Sequence, residues 1–434
     1  MDAMENASIA KHILSTGDWK HFRYDLTSYK NYYNHPPLVI WIEALFFKFL
    51  GASDTVARLV PALFALGTLV GVVVWGSFCG TIELGLLAGW VLLTSNRYVK
   101  FASDALLEGP LCFFLVWGVV FFLKSLKAKT NTKLTIFSAC LGLSLAGAFL
   151  TKSVFSVVLP ASIFGGLLFC KVSSWREYLK IFVVSMFMFI FVLIIWFLFG
   201  DGYNFLVNHY AAISYRVENR NFATLTAPIL NIITTYWPWL PLLFYGLYRL
   251  FRCGEKKELG LWIAAVFVVV VLAGFSLSGH FFEHYLTIFY PASSILVGLS
   301  VCRLVRGKFE KLERFICGTA IICSVIFATI PIQLRRNRAE PLATTLNEMN
   351  AVCKGQSEIL VTQVAMDRWL ATAIVLWKTP FEIKSLDSLQ VEPQPGQLLI
   401  VAKNEQPSLE QWERVPLCLS QFNLYQSKRY PHCR

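Results

Sequence analysis

Two charged side chains stand where apolar segments of the chain begin or end. Glu108 lies in the run Asp104-Ala-Leu-Leu-Glu-Gly-Pro-Leu, and Lys152 lies in Phe149-Leu-Thr-Lys-Ser at a turn between two apolar segments. A carboxylate can take up a proton or orient a substrate, and an ammonium can bind a phosphate. Simpler interpretations compete: a helix start tolerates an acid through its dipole, and a lysine beside an apolar segment can be an interface anchor.

A polar, aromatic segment, Asn31-Tyr-Tyr-Asn-His-Pro-Pro-Leu, follows an acidic start that contains Asp2 and Glu5. Its two prolines fix φ twice and remove two backbone donors. The chain should therefore enter the next segment rigidly, with Asn34 and His35 pointing one way. This predicts the cover and floor of a site, and a plain stiff turn is the competing interpretation.

The composition excludes a soluble globular protein. Of 434 residues, 56% are apolar and only 15% are charged, with 36 Phe and 13 Trp, which indicates a polytopic membrane protein. The net charge of +12 comes from basic residues in short loops between apolar runs. That is the positive-inside pattern, so it does not indicate a nucleic-acid partner. The 11 Cys form no CxxC pair and no Cys/His cluster, so no zinc site follows from them.

The apolar segments predict an all-α polytopic bundle of about ten spans. We expect them at about 56–78, 80–96, 105–124, 134–151, 153–171, 178–199, 226–249, 258–277, 284–303 and 313–332. Leu38–Leu50 is also apolar, but at 1.5 Å per residue it would reach only about 20 Å, short of a core roughly 30 Å thick. We therefore expect a helix in the interface there. Residues 3–15 predict another, weakly amphipathic helix that Gly17 ends.

Loop charges predict the orientation of the bundle. Four strongly basic loops, at 124–133, 171–180, 249–257 and 303–314, each follow an odd number of crossings counted from Val56. They therefore share the cytoplasmic face.

Three parts follow from this orientation. They are an outer-face region with interfacial helices (1–55), a transmembrane domain (56–332) and a small outer-face domain (333–434).

The outer-face tail has a short α/β pattern of its own. Glu358–Gln363, Phe381–Ser385 and Gln397–Lys403 predict strands, and Asp367–Lys378 predicts a helix. Two prolines and a glycine near residue 395 mark a turn before the last strand. We expect a small α/β domain.

Polar side chains from five separate loops share the predicted outer face. Each ionisable group left in hydrocarbon costs roughly a few kcal/mol, so such groups at span ends usually line a cavity. The set comprises Asp2, Glu5, Asn34, His35, Arg97, Lys100, Asp104, Glu108, Lys152, His209, Arg216, Arg220, His280, Glu283, His284 and Tyr285. Acids and bases converging on one face favour a site over separate, solvated loop charges.

The sequence also resembles a known family. The motifs that carry the resemblance are Gly17-Asp18-Trp19 after the acid Asp2, Tyr33-Asn-His-Pro-Pro-Leu, Phe49-Leu-Gly, Ala57-Arg-Leu, Leu106-Leu-Glu-Gly-Pro, Thr151-Lys and Trp237-Pro-Trp-Leu. In this order and spacing, over about residues 1–300, they look like the GT-C glycosyltransferases. The bacterial branch that holds the lipid A aminoarabinose transferases and relatives of protein O-mannosyltransferases is the most similar.

The resemblance implies an activity and a location. The enzyme would transfer a sugar from a polyprenyl-phosphate carrier to a lipid, protein or glycan acceptor, with inversion, at the outer face of the bacterial inner membrane. Asp2 would match the catalytic base or acceptor-orienting acid, and Glu108 a second acid. Lys152 and Arg216 would match positions associated with the lipid phosphate, and Tyr285 a tyrosine before a span that contains proline.

The chemistry of such a transfer agrees with this set. The leaving group is a phosphate, so it needs cations, and Arg220 and His280 are further candidates for that role. Asp2 would take the proton of the attacking hydroxyl. Glu108 could position the acceptor or bind a divalent metal with Asp2 and His35, and both options stay open. Asn34, His35 and Glu5 are candidates for positioning the acceptor.

The sequence also departs from the family pattern. Family members begin with a transmembrane helix before the first acid, whereas here the chain starts one residue before Asp2, which predicts a longer natural protein. Asn34-His35 stands where the aminoarabinose branch has Glu-Lys, and His280 stands where relatives often have Arg or Lys.

Two other functions are weighed: a lipid or solute transporter, and a non-catalytic family member. Transporters usually place polar groups near span centres, whereas here the groups lie at span ends.

Overall fold

The computed structural model of the chain describes residues 2–22, 32–103, 106–170, 175–218, 225–252, 258–278, 281–304, 358–362, 382–386, 397–402, 411–414 and 422–428. For Asp2, Glu5 and Arg216 it gives the place in a helix but not the side chain.

Helices make up most of the described chain. Their bounds are α1 Asp2–Thr16, α2 Leu38–Leu50, α3 Asp54–Phe78, α4 Ile82–Thr94, α5 Asn96–Ser103, α6 Glu108–Leu126, α7 Asn131–Lys152, α8 Val158–Phe169, α9 Trp175–Phe199, α10 Gly202–Glu218, α11 Ala227–Thr235, α12 Leu240–Arg252, α13 Leu259–Ser278 and α14 Phe289–Leu304. Two 3-10 segments, Ser153–Val157 and Glu283–Ile288, precede α8 and α14.

The chain is a multi-pass membrane protein. Six of its described helical segments are long and apolar enough to cross a membrane: Asp54–Phe78, Glu108–Leu126, Asn131–Phe169, Arg176–Phe199, Leu259–Leu277 and Glu283–Leu304. The surface of α9 is the clearest sign, because Phe187, Leu198 and Phe199 expose 67%, 70% and 78% of their area. A helix that is apolar on its exposed side fits lipid rather than water.

The predicted fold class is confirmed, with corrections to individual spans. The predicted single span 226–249 is wrong, because the chain breaks between α11 and α12 at Trp237-Pro238. Proline lacks the backbone donor that a continuous helix needs, so the helix ends before it. The helix α4 is shorter than the predicted span 80–96, and the predicted span 313–332 lies outside the described residues.

Close packing of the described helices forms a large hydrophobic core. The helix α6 packs against α3 and α7, α4 against α3 and α14, and α8 against α13. The crossing of α3 and α4 is made by two glycines: a Cβ added to Gly76 would lie 2.7 Å from the Cα of Gly85. Small residues let helix backbones approach in a membrane, where packing rather than the hydrophobic effect holds helices together.

Both predicted N-terminal helices are present as α1 and α2. The helix α1 ends at Gly17, whose φ of +74° suits glycine and whose N–H donates to the Ile13 carbonyl at 2.8 Å. In α2, which is not among the six candidate spans, Glu43 is buried, and burial raises its pKa to about 8. Glu43 is therefore protonated at neutral pH, which lets an acid lie within an apolar helix.

A five-stranded sheet lies in the C-terminal part of the chain. Its strands β1 Glu358–Thr362, β2 Glu382–Leu386, β3 Gln397–Ala402, β4 Trp412–Arg414 and β5 Phe422–Ser427 are ordered β2-β1-β3-β5-β4. The first three are parallel, and β5 pairs antiparallel with β3 and β4. The three predicted strands are thus present, β4 and β5 were not predicted, and the predicted helix Asp367–Lys378 lies outside the described residues.

The chain divides into two compact units. One comprises Met1–Tyr32, Ile40–Ser53 and Gln333–Arg434, and the other comprises Tyr33–Val39 and Asp54–Ile332. The second contains all six candidate spans. The predicted three-part division of the chain stays a prediction.

Candidate active site

Glu108 is placed by the first turn of α6. The helix begins at Glu108 and continues through Gly109 and Pro110, and Pro110 costs no hydrogen bond because first-turn N–H groups lack helical partners. An acid here also faces the positive end of the helix dipole. Glu108 is only 2% exposed, so its carboxylate requires a partner.

That partner is Lys152, the last residue of α7. The chain leaves the helix at Lys152, where φ is −154°, and turns into the 3-10 segment Ser153–Val157. This turn directs the Lys152 ammonium to the carboxylate of Glu108, and the two form a buried ion pair. Since the pair combines one positive and one negative group, the buried site has little net charge.

Aromatic rings surround the free side of the ammonium. The Nζ of Lys152 lies 4.2 Å from the ring centroid of Tyr285 and 5.2 Å from that of Phe155. The Tyr285 ring in turn stacks on Phe275 with centroids 5.5 Å apart. Ring faces attract a cation without adding a second negative charge, so they hold the ammonium in place beside the carboxylate of Glu108.

His284 completes the described cluster. Its Nε2 lies 3.7 Å from the Glu108 carboxylate, and its ring packs edge-on against Tyr285. The 3-10 segment that carries both residues begins at Glu283, which pairs with Arg97 of α5 at 2.5 Å. That pair is partly exposed, so it orients the segment more than it stabilises it.

Of the residues predicted for the site, the structure brings Glu108, Lys152 and Tyr285 together. Asn34 is exposed and His35 half-buried in the segment before α2. The others have no described side chain: Asp2 and Glu5 lie in α1, Arg216 lies in α10, and Arg220 and His280 lie outside the described residues.

The sequence analysis did not predict that Phe155 and Phe275 lie at the site, and it did not select His284 as a site residue. His284 was in the outer-face polar set, and its position beside Tyr285 was a usable signal. Phe155 and Phe275 gave none, because phenylalanine is common throughout the apolar segments.

The sequence predicted a divalent metal held by Asp2, His35 and Glu108. The described side chains contain no group of three or more His, Cys, Asp or Glu close enough to hold an ion. The side chain of Asp2, one of the three predicted ligands, is not among them. A metal held by Asp2, His35 and Glu108 therefore stays a prediction.

The candidate spans are those of a multi-pass membrane protein, and similarity to solved structures shows that the chain has the GT-C glycosyltransferase fold. Residues 34–196 match the family model of dolichyl-phosphate-mannose-protein mannosyltransferase. This match covers less than half of the chain, and together with the shared fold it supports the resemblance to GT-C glycosyltransferases that the motifs predicted.

Particular solved structures and one sequence are similar to it. ArnT from Cupriavidus metallidurans bound to undecaprenyl phosphate has a TM-score of 0.74 at 14% identity, with 98% of this chain and 93% of that one covered. AglB, an archaeal oligosaccharyltransferase from Archaeoglobus fulgidus in complex with an inhibitory peptide and a dolichol-phosphate, has a TM-score of 0.56 at 11% identity, covering 92% and 65%. An uncharacterized protein of Aquifex aeolicus is 28% identical over 354 residues, 77% of this chain and 74% of that protein.

Proposed function

We propose that this chain transfers a sugar from a polyprenyl-phosphate carrier to a hydroxyl or phosphate of a lipid, protein or glycan acceptor. The observation that carries the proposal is the buried Glu108–Lys152 pair, with its ammonium against Tyr285. A cation held at the end of a span is suited to the phosphate of a lipid whose tail lies among the spans. Two similar proteins were solved with undecaprenyl phosphate or a dolichol-phosphate bound, which supports this choice of donor.

In the proposed reaction, the acceptor oxygen attacks C1 of the sugar from the side opposite the phosphate. The bond from C1 to the acceptor oxygen forms, the bond from C1 to the phosphate oxygen breaks, and the configuration at C1 inverts. The carrier phosphate leaves with an added negative charge. Lys152 would stabilise that charge, and Arg216, Arg220 and His280 are the further candidates.

The acceptor needs a base, and Asp2 is the proposed one, with Glu5, Asn34 and His35 as candidates for positioning the acceptor. Glu108 holds the Lys152 ammonium in place. When the phosphate leaves with its added charge, the ammonium can turn toward it while still paired with Glu108. The orientation inferred from the basic loops puts this reaction at the outer face of the bacterial inner membrane.

The test is transfer of labelled sugar from a panel of short-chain polyprenyl-phosphate sugars to endogenous acceptors in membranes. Lys152→Ala should lower the rate about a hundredfold or more, because it removes a group that stabilises the developing charge. Asp2→Asn should do so as well, because it removes the base. Lys124→Ala is the matched control, since Lys124 lies in the last turn of α6, at the end opposite Glu108.

Expression and thermal stability of each variant are measured alongside. Transfer that persists in Lys152→Ala would overturn the role of Lys152, and persistence in Asp2→Asn would overturn the base assignment. No transfer by the wild type from any donor would overturn the proposal and favour the transporter or the non-catalytic member.

A further inference from the structure

The residue after Lys152 has a partner on another helix. The hydroxyl of Ser153 lies 2.7 Å from Nε2 of His209, which is in the middle of α10. Ser153 is only 6% exposed, and this hydrogen bond is partly buried. Two consecutive residues at the end of α7 therefore make two different links, Lys152 to Glu108 and Ser153 to α10.

The helix α10 is not among the six candidate spans, and one face of it is turned inward. Phe205 is buried against Trp196 of α9 with ring centroids 5.5 Å apart, and His209 stacks on Phe205 at 4.9 Å. The opposite face is open, since Tyr203 and Tyr210 are 71% and 74% exposed. The rotation of α10 about its axis is thus set by Phe205 and His209.

A second hydrogen bond fixes the start of α10. The hydroxyl of Tyr33, in the polar segment before the two prolines, donates to Oδ2 of Asp201 at 2.7 Å. Asn204 donates to the other oxygen of the same carboxylate at 2.8 Å. Because Asp201 immediately precedes the helix, this contact anchors the N-terminal end of α10 to Tyr33.

The register of α10 connects these contacts to the site. At 3.6 residues per turn, a residue seven positions on returns to nearly the same face, about 10 Å further along the axis. Arg216 stands seven positions after His209, so its backbone lies on the inward face that Phe205 and His209 define. The contact that turns His209 to the end of α7 therefore also sets the face of α10 on which the backbone of position 216 lies.

We propose that Ser153 and His209 are positioning residues, which hold the inward face of α10, and with it Arg216, at the end of α7 that carries Lys152. Tyr33 sets the start of the same helix. This inference rests on the proposed function for its kinetic consequence, since Arg216 is a candidate ligand of the donor phosphate. It does not rest on that function for the placement of α10.

The test compares wild type with Ser153→Ala, His209→Ala, the double variant and His209→Gln. Loss of the hydrogen bond should raise the KM for the polyprenyl-phosphate sugar about threefold to tenfold, the equivalent of one net hydrogen bond, with a smaller change in kcat. His209→Gln should recover most of the loss, because a glutamine amide can reach Ser153 from nearly the position of Nε2. The double variant should be no worse than the more impaired single variant.

Tyr210→Ala is the matched control, since it alters the neighbouring, exposed residue of the same helix. Hydrogen exchange of peptides from 202–218 is measured for every variant. Faster exchange in Ser153→Ala and His209→Ala than in Tyr210→Ala is expected. Equal exchange and equal KM in all three would overturn the proposal.

The two proposals can fail separately. If the wild type transfers no sugar, the proposed function fails, while hydrogen exchange still decides whether Ser153 and His209 hold α10. Binding of undecaprenyl phosphate alone to wild type and His209→Ala then replaces KM. Equal affinity would overturn the link to a phosphate.

Discussion

At the scale of single residues, the site depends on two charges that are buried away from water and stabilise each other. Glu108 and Lys152 are 2% and 7% exposed, so each makes the burial of the other possible. The sequence predicted each residue as a candidate from its place at a span end. It could not predict their pairing, because the two are 44 positions apart and meet only when α6 and α7 pack.

This pairing predicts that stability and activity can be separated. Glu108→Gln leaves an unpaired buried ammonium and should lower the free energy of unfolding by about 3–5 kcal/mol. Combining it with Lys152→Met removes the orphaned charge and should restore most of that stability. Sugar transfer should stay low in both variants, because neither keeps a paired ammonium at the phosphate site.

Thermal unfolding in detergent, with the transfer assay on the same samples, checks this. A double variant that is less stable than Glu108→Gln would contradict the pairing argument. Recovery of transfer in the double variant would show that the ammonium is not needed for the reaction.

At the scale of secondary-structure elements, the lengths of the apolar runs predicted most helices. Interruptions within a run set the bounds of the others. The run 226–249 has enough apolar residues for one span, yet the structure divides it at Pro238 into α11 and α12. The break was visible in Trp237-Pro-Trp, but a proline within a membrane helix is often tolerated, so composition alone did not predict it. The 3-10 segment after Lys152 has no such signal, because Ser153–Val157 contains neither glycine nor proline.

The crossing of α3 and α4 predicts a strict size limit at Gly85. A Cβ there would meet the Val73 carbonyl oxygen and the Ser77 hydroxyl, so Gly85→Ala must push the helices apart. We expect a loss of about 1–3 kcal/mol, typical of an overpacked core, seen as a lower Tm in detergent.

Gly274→Ala in α13 is the control, because an added Cβ there has nothing within 4 Å. It should leave Tm unchanged or raise it, since alanine favours helix over glycine by up to about 1 kcal/mol. Equal Tm values for Gly85→Ala and Gly274→Ala would contradict the close crossing.

At the scale of the whole molecule, the sequence predicted the fold class. It was less informative about which segments, distant in sequence, contact each other. Long hydrophobic runs predicted a membrane bundle because a helix that crosses the membrane must be apolar over the thickness of the hydrocarbon core. Parallel strands β1, β2 and β3 were predicted from their own apolar residues, whereas β4 spans only Trp412–Arg414 and is too short for such a pattern. The grouping of 1–32 with the C-terminal part depends on tertiary contacts that no local pattern encodes.

Orientation is the prediction that belongs to this scale. The basic loops of the sequence predict that the turn between α6 and α7 is cytoplasmic and that residues 333–434 lie on the outer face. Alkaline phosphatase, which is active only outside the cytoplasm, should therefore be inactive when fused after Ala128 and active when fused after Arg434. Green fluorescent protein at the same two points is the control and should give the reverse pattern. Activity at Ala128 would mean that the bundle is inverted.

The adjacency of Lys152 and Ser153 constrains how this region can change during evolution. One residue pairs with α6 and the next with α10, and each residue added to a helix rotates the later residues by about 100° around the axis. A single insertion or deletion at this junction would turn at least one of the two side chains away from its partner. The turn at 127–130, whose Lys129 and Thr130 are exposed, carries no such pair. Homologous chains should therefore vary in length between α6 and α7 and keep a fixed length between α7 and α8, even where the residue types at the junction differ.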